Sequence, residues 1–447
     1  MWLARLVSSR AHFVTGKLRV TELFWDVPLD YNRPNEATIR LFARAVGRRE
    51  PGMDLEQSQK ILPWFVYLQG GPGMGCSPPQ DISWVQMVLD RGYQVLLLDQ
   101  RGTGLSTPIT AATLGLLGDA SKQAEYLKLF RADNIVRDCE AIRENLTAEY
   151  PTDKKWSILG QSFGGFCAVT YLSKFPEGLR EVFTTGGLPP LRRNPDSVLA
   201  RTYEKVQERN EVYYSKFPED IQRVTDILRY LNGNRVQLPA GILTPARFMT
   251  LGLSFGMRGG LDSIHGIILR THNELQTFGF LTTPTLSILD SATTFDNNIL
   301  YAVIHEAIYC QGEASNWSAD RLITNYPRFQ LNYDGSPVFF TGEMVYPHMF
   351  EASEELRQVK GAADILAAYD EWPELYDETQ LAENEVPVYS ATFVDDMYVH
   401  YALATETAAK IKNCKQFVTN VMYHNAIRAN ADELIKQLFA LRDDTID

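Results

Sequence analysis

The chain has 447 residues, too many for one minimal domain and suited to one large domain or two ordinary ones. Hydrophobic residues make up 45% and aromatics 11%, the composition of a globular protein with a substantial core. A net charge of −12 argues against a nucleic-acid or anionic-membrane surface, so neither is expected as a partner.

The amino-terminal stretch MWLARLVSSRAHFVTGK carries Arg5 and Arg10 inside its apolar residues, which makes a poor secretory signal. Its Arg and Ser content, with no acid before Glu22, shares a faint bias with organellar presequences. Five cysteines (Cys76, Cys139, Cys167, Cys310, Cys414) are scattered without C-x-x-C spacing. That speaks against a disulfide framework or a zinc site and suits a reducing compartment. A cytoplasmic location is expected, and no run of about twenty apolar residues predicts a membrane span.

Residues 18–31 and 37–46 alternate in the manner of an antiparallel edge hairpin. Continuous apolar runs follow at 64–69, 94–99, 155–160 and 181–186, as strands covered on both faces require. Between them the spacing of Ile135, Cys139, Ile142 and Leu146 predicts a helix over 134–146. From about 190 to 384 the texture turns helical, with segments such as 196–217 and 297–311 and no clear buried strand. The acidic stretch 351–385 reads as a solvated surface and linker. Strand signals resume at 386–394 and 416–423, and 431–443 closes the chain as an amphipathic helix. The pattern predicts an α/β-hydrolase fold: a mainly parallel eight-stranded sheet with a large helical cap inserted between strands six and seven. Residues 1–189 and 385–447 would form the core domain and 190–384 the cap domain.

Two G-x-S-x-G pentapeptides occur, around Ser162 and Ser254. A nucleophile elbow needs a buried strand before the serine and a small-residue helix after it. Ser162 meets both conditions, whereas Ser254 lies within the helical insertion, so Ser162 is the candidate nucleophile. A serine hydroxyl needs a base, and the base needs an orienting acid. In this fold the order along the chain is Ser, then Asp or Glu, then His. His424 directly follows the last strand and is the expected base, while His400 follows too closely on the seventh strand. The acid is Asp395 or Asp396, with Asp396 favoured. The oxyanion hole is expected from the backbone N–H of Phe163 and of the Gly-rich loop after the third strand, with Gly71 ahead of Gly70. No metal or organic cofactor is called for.

GGPG at 70–73, DQRGTGLS at 99–106, GQSFGG at 160–165 and GGLPP at 186–190 together resemble the proline iminopeptidase (prolyl aminopeptidase) family of α/β-hydrolases, in its larger-cap branch. The 28 residues between Asp396 and His424 suit that family's spacing. Two departures stand out: Gln69 replaces a usual His before the Gly-Gly-Pro-Gly, and the acid loop lacks the common Gly-Arg-Tyr-Asp. The resemblance implies release of N-terminal proline from small peptides, with cap glutamates binding the protonated amine. Glu306, in an E-x-x-Y segment, and Glu343, flanked by aromatics, are the candidates, with Arg321 a possible structural partner of Glu306. Asp99 and Arg101 are expected to brace the loop after the fourth strand. Another acyl hydrolase (an esterase, a lactonase or a broader aminopeptidase) is the competing function, and a non-catalytic binding module on the same fold is a third. The chain leaves the oligomeric state open.

Overall fold

Two apolar patterns make two kinds of strand in the computed structural model, which describes residues 4–49 and 61–445. In chain order the strands are β1 (Arg5–Val14), β2 (Leu18–Pro28), β3 (Thr38–Arg48), β4 (Trp64–Leu68), β5 (Gln94–Asp99), β6 (Trp156–Gln161), β7 (Leu179–Thr185), β8 (Val236–Leu238), β9 (Gly241–Leu243), β10 (Val388–Phe393) and β11 (Cys414–Thr419). Among the described residues, nine of them form one sheet in the order β1-β2-β3-β5-β4-β6-β7-β10-β11. The pairs from β1 to β5 are antiparallel. The pairs from β5 to β11 are parallel. Every residue of β4, β5, β6 and β10 is buried, because helices cover both faces.

The two-residue period of a strand sorts these side chains between two cores. Val66 and Leu68 join helices Ala132–Leu146 and Phe163–Lys174 on one face. Phe65 and Tyr67 join helices Trp84–Leu89 and Ala431–Arg442 on the other. The expected eight strands are thus present, with a ninth that the sequence reading missed. The amino-terminal stretch read for targeting signals is strand β1, turned back onto β2 through Gly16 and Lys17, both at positive φ. Its side chains are mostly exposed, so no alternating apolar pattern announced it.

Between β7 and β10 lie helices Asp196–Lys216, Asp220–Gly233, Gly260–Phe278 and Thr283–Thr293, several shorter ones, and the two-stranded ribbon β8–β9. Their apolar core also takes in Ile109–Phe130, and helix Ala120–Leu127 packs on helix Lys360–Ala368. Arg131, fully buried, ties the two regions by donating to the carbonyls of Ala307, Cys310 and Pro373 at 2.9, 2.7 and 2.7 Å. The acidic stretch 351–385 is more than a solvated linker. Leu356, Val359, Leu366, Trp372, Leu375 and Leu381 are all buried there, with only the charged faces in water. Among the described residues, no helix is long and apolar enough to cross a membrane.

The loop after β5 is braced by two buried charges. Asp99 accepts from the backbone N–H of Cys76 and Leu105 at 2.7 and 2.8 Å. Arg101 forks onto Asp138 at 2.7 and 2.6 Å and also donates to the carbonyls of Pro28, Leu29 and Leu129. Removing one partner of such a pair strands a buried charge. Asp138→Ala is therefore expected to lower the unfolding free energy by about 3–5 kcal/mol, read by chemical denaturation. A loss under about 1 kcal/mol would show that the pair does not hold this loop.

Candidate active site

The loops that leave the carboxyl ends of β4, β6, β10 and β11 converge on one point, as open parallel sheets favour. Ser162 stands between β6 and helix Phe163–Lys174 with φ 53° and ψ −124°. A β-carbon at such a positive φ is strained, and the surroundings must hold it there. They do so by close backbone approach. A β-carbon on Gly164 would lie 1.9 Å from the Leu68 carbonyl oxygen, and one on Gly165 would lie 2.3 Å from that of Gly187. The small residues of the pentapeptide let the helix press against strand and loop, and that pressure keeps Ser162 turned outward.

His424 follows β11 and places Nε2 2.9 Å from Ser162 Oγ. Its Nδ1 lies 2.8 Å from Asp396 Oδ2. The other oxygen of Asp396 accepts from the N–H groups of Tyr398 and Val399 at 2.8 and 2.9 Å. Asp396 is 1% exposed, while Asp395 is half-buried. Gly186 closes over this pair: a β-carbon there would lie 3.0 Å from His424 Nδ1. Burial disfavours the imidazolium, but the Asp396 charge and hydrogen bond outweigh this and hold His424 above the ordinary histidine value. His400 is elsewhere, capping helix Tyr401–Lys410 through Nδ1.

The Phe163 amide opens its helix and has no preceding helical carbonyl to meet. Gly71 lines the cavity above Ser162. Gly70 has its N–H turned to Gln69 Oε1 at 3.2 Å, which leaves Gly71 as the better oxyanion donor. Gln69, the departure from the family's usual His, holds this loop from below. It accepts from Tyr67 Oη at 2.6 Å, and its own carbonyl accepts from Gln100 Nε2 at 3.2 Å.

A cavity of about 100 Å³ sits over Ser162 and His424. Leu253, Met257, Phe295, Tyr301 and Tyr398 make its walls largely apolar, and Glu343 lies at its side. Glu343 accepts from Tyr301 Oη at 2.8 Å and forms no ion pair among the described residues. Burial pushes its carboxyl up to about 7, against the pull of His424 and the Tyr301 hydroxyl.

Glu306 is not in this cavity, and its expected role as an amine ligand is corrected here. The helix expected over 297–311 stops at Ile304, and Glu306 turns away to accept from the N–H groups of Ser318 and Ala319 at 3.0 and 2.9 Å. Both carboxylate oxygens are thereby used on the first turn of helix Ser318–Leu322. A buried carboxylate among apolar neighbours did need a partner, and that partner is backbone. Arg321 instead pairs with Asp196 at 2.6 Å.

The sequence reading missed Tyr301 and Tyr398. Tyr398 lays its ring 4.5 Å from that of His424 and donates to the Leu253 carbonyl. Each looks like one more core aromatic in the sequence, since nothing local says which way its hydroxyl points. Ser254 lies on the 3-10 turn Thr250–Gly256 of the insertion, as expected. The second pentapeptide contributes to the site through Leu253 rather than its serine.

A family model for the alpha/beta hydrolase fold matches residues 63–228. Proline iminopeptidase aneH of Aspergillus aculeatus is 48% identical over 445 residues, covering 99% of this chain and 98% of that one. Proline iminopeptidase of Aeromonas sobria is 40% identical over 442 residues, covering 98% and 100%. The chain belongs to the proline iminopeptidase family. Smaller members of the family match only in part: that of Lactobacillus helveticus is 27% identical over 134 residues, 30% of this chain and 38% of its own. Among solved structures, proline iminopeptidase of Mycobacterium smegmatis aligns over 98% of both chains at 13% identity and a TM-score of 0.41, too distant to add to the assignment.

The elbow contacts in this family member make a direct prediction. Gly164→Ala is expected to abolish turnover and lower the melting temperature, because the added methyl meets a backbone carbonyl that cannot yield. Retained activity in this variant would mean that the elbow is not held by backbone approach.

Proposed function

We propose that this protein is a serine aminopeptidase that releases N-terminal proline from small peptides, with Ser162, His424 and Asp396 as its catalytic triad and Glu343 as its amine ligand. The observation that carries the reading is a part-buried carboxylate, without a cationic partner among the described residues, in the same cavity as a serine hydrogen-bonded to histidine. A charge held in a dry cavity favours a ligand that brings the opposite charge and a hydrogen-bond donor. The ammonium of an N-terminal residue brings both. The apolar walls suit a pyrrolidine ring.

In the reaction, Ser162 Oγ attacks the prolyl carbonyl carbon while its proton passes to His424 Nε2. The developing oxyanion takes hydrogen bonds from the Phe163 and Gly71 amides. Asp396 steadies the imidazolium, which then gives its proton to the departing amine. Water attacks the prolyl ester with the same base, and free proline leaves. Every step uses groups of the chain itself, with no metal or organic cofactor. Residues 190–384 act as a cap domain that supplies Glu343, Tyr301 and Leu253 above a core of residues 1–189 and 385–447. Five free cysteines fit a cytoplasmic setting.

Blocking the amine separates this reading from a general acyl hydrolase with the same triad. Proline arylamide is expected to turn over, and acetylproline arylamide to lose at least about a hundredfold in kcat/KM, because a buried carboxylate is left unpaired. Equal rates on both, or faster turnover of a simple aryl ester, would favour the esterase or lactonase alternative. An absence of turnover on all three would favour a binding module.

The pH profile follows from the same groups. Glu343 ionises as pH rises through about 7, and His424 must lose its proton to act as base. Both therefore raise kcat/KM with pH on the acid side. The substrate α-amine loses its charge above about 8, which lowers kcat/KM again. Glu343→Gln is expected to reduce kcat/KM on proline substrates about 10–100-fold, mainly through KM, and to simplify the acid limb to a single ionisation. An unchanged KM and acid limb in this variant would remove Glu343 from amine binding.

A further inference from the structure

The cleft carries charge at its other end as well. Arg428 lies four residues beyond His424, on the short helix Ala426–Ala429, and its side chain lines the cavity that holds Ser162, Gly71 and Met74. The same side chain lines an adjoining pocket of about 150 Å³ that opens beside Gln69, Ser77, Ser83 and Trp84. Arg428 is exposed and forms no ion pair or side-chain hydrogen bond among the described residues. Asp81 shares the outer pocket and does not pair with it. His424 feels both Glu343 and Arg428, one raising and one lowering its proton affinity, so the two charges flank the catalytic base. Arg258, in the insertion, meets Asn425 through its backbone N–H and the Ala429 carbonyl through its guanidinium, and it has no ion pair among the described residues.

A protein with a net charge of −12 thus sets a cation that has no ion pair among the described residues and a part-buried anion in the walls of the one cavity that holds the nucleophile. A short peptide with both termini free has the matching polarity. Its ammonium meets Glu343, its scissile carbonyl meets Ser162, and its carboxylate emerges on the Arg428 side. A guanidinium suits a carboxylate because its planar fork gives two parallel donors. We propose that Arg428 is a specificity-determining residue that binds the C-terminal carboxylate of very short peptides, so that the enzyme favours dipeptides with a free acid. This rests on the aminopeptidase reading above and names the length and terminus of its substrate.

The test compares kcat/KM on Pro-Ala and Pro-Ala-amide for the wild type, Arg428→Gln and Arg428→Lys. The wild type is expected to prefer the free acid about tenfold, the scale of one charge-assisted hydrogen-bonded contact. Arg428→Gln should bring the ratio close to one, and Arg428→Lys should keep part of it. Because each ratio compares two substrates on one variant, any change in His424 basicity cancels. Equal rates on acid and amide in the wild type, or a preference that survives in Arg428→Gln, would overturn the proposal. Proline arylamide run alongside distinguishes the failures: cleavage of it without an acid preference removes only the role of Arg428, and no cleavage of any proline substrate removes the aminopeptidase reading with it.

Discussion

The site depends on how closely the backbone packs around Ser162. Strand β6, the helix that follows it and the Gly186–Gly187 loop approach within distances that no side chain would permit. That packing holds Ser162 at φ 53°, a conformation of about 1–3 kcal/mol strain that an isolated turn would not keep. Three consequences follow from the one constraint. The hydroxyl points to the His424 ring, the Phe163 amide stands free of any helical carbonyl at the start of its helix, and the bare Gly186 leaves space for the His424–Asp396 pair. A side chain at Gly164 or Gly186 would disturb all three together.

Around this fixed point the electrostatics are arranged by burial. Asp396 spends one oxygen on two backbone amides and the other on His424, which sets the ring's orientation and raises its affinity for a proton. Among the described residues the Glu343 carboxylate has only a tyrosine hydroxyl, and burial raises its proton affinity so that it titrates near 7. The first carboxylate is satisfied by the protein, and the second has no ion pair among the described residues. Glu306 shows the contrast within the same cap. It is more deeply buried, yet two helix amides meet its demand.

Much of this was legible in the sequence, and the parts that were not share a cause. Buried strands and the elbow leave strong local marks, because continuous apolar runs and flanking glycines are dictated by packing over a few residues. Ser162, His424 and the nine-in-one sheet's central strands follow from such marks and from chain order. Strand β1 left no mark because its side chains face water, and a solvent-exposed edge needs no alternating pattern. Glu306 and Glu343 looked alike in sequence, since each is an acid in apolar surroundings. Only the fold shows that the helix breaks at Ile304 and carries Glu306 to Ser318, whereas the run through Val345 keeps Glu343 over the serine. Tyr301, Tyr398 and Arg428 were likewise hidden, as the direction of a hydroxyl or guanidinium is a property of tertiary structure. In sequence Asp396 was favoured over Asp395 by its spacing from His424, and in the structure it is Asp396 that meets His424 and the backbone amides of Tyr398 and Val399.

The central claim is that Ser162 is the reacting group and that peptides with N-terminal proline occupy the cavity above it. Peptide mapping after treatment with a fluorophosphonate, with and without an excess of Pro-Ala, tests both parts in one experiment. A single adduct on Ser162 that Pro-Ala suppresses, and that its acetylated form does not, is the expected result. An adduct on Ser254, no adduct in the folded protein, or labelling of Ser162 that Pro-Ala leaves untouched would contradict it.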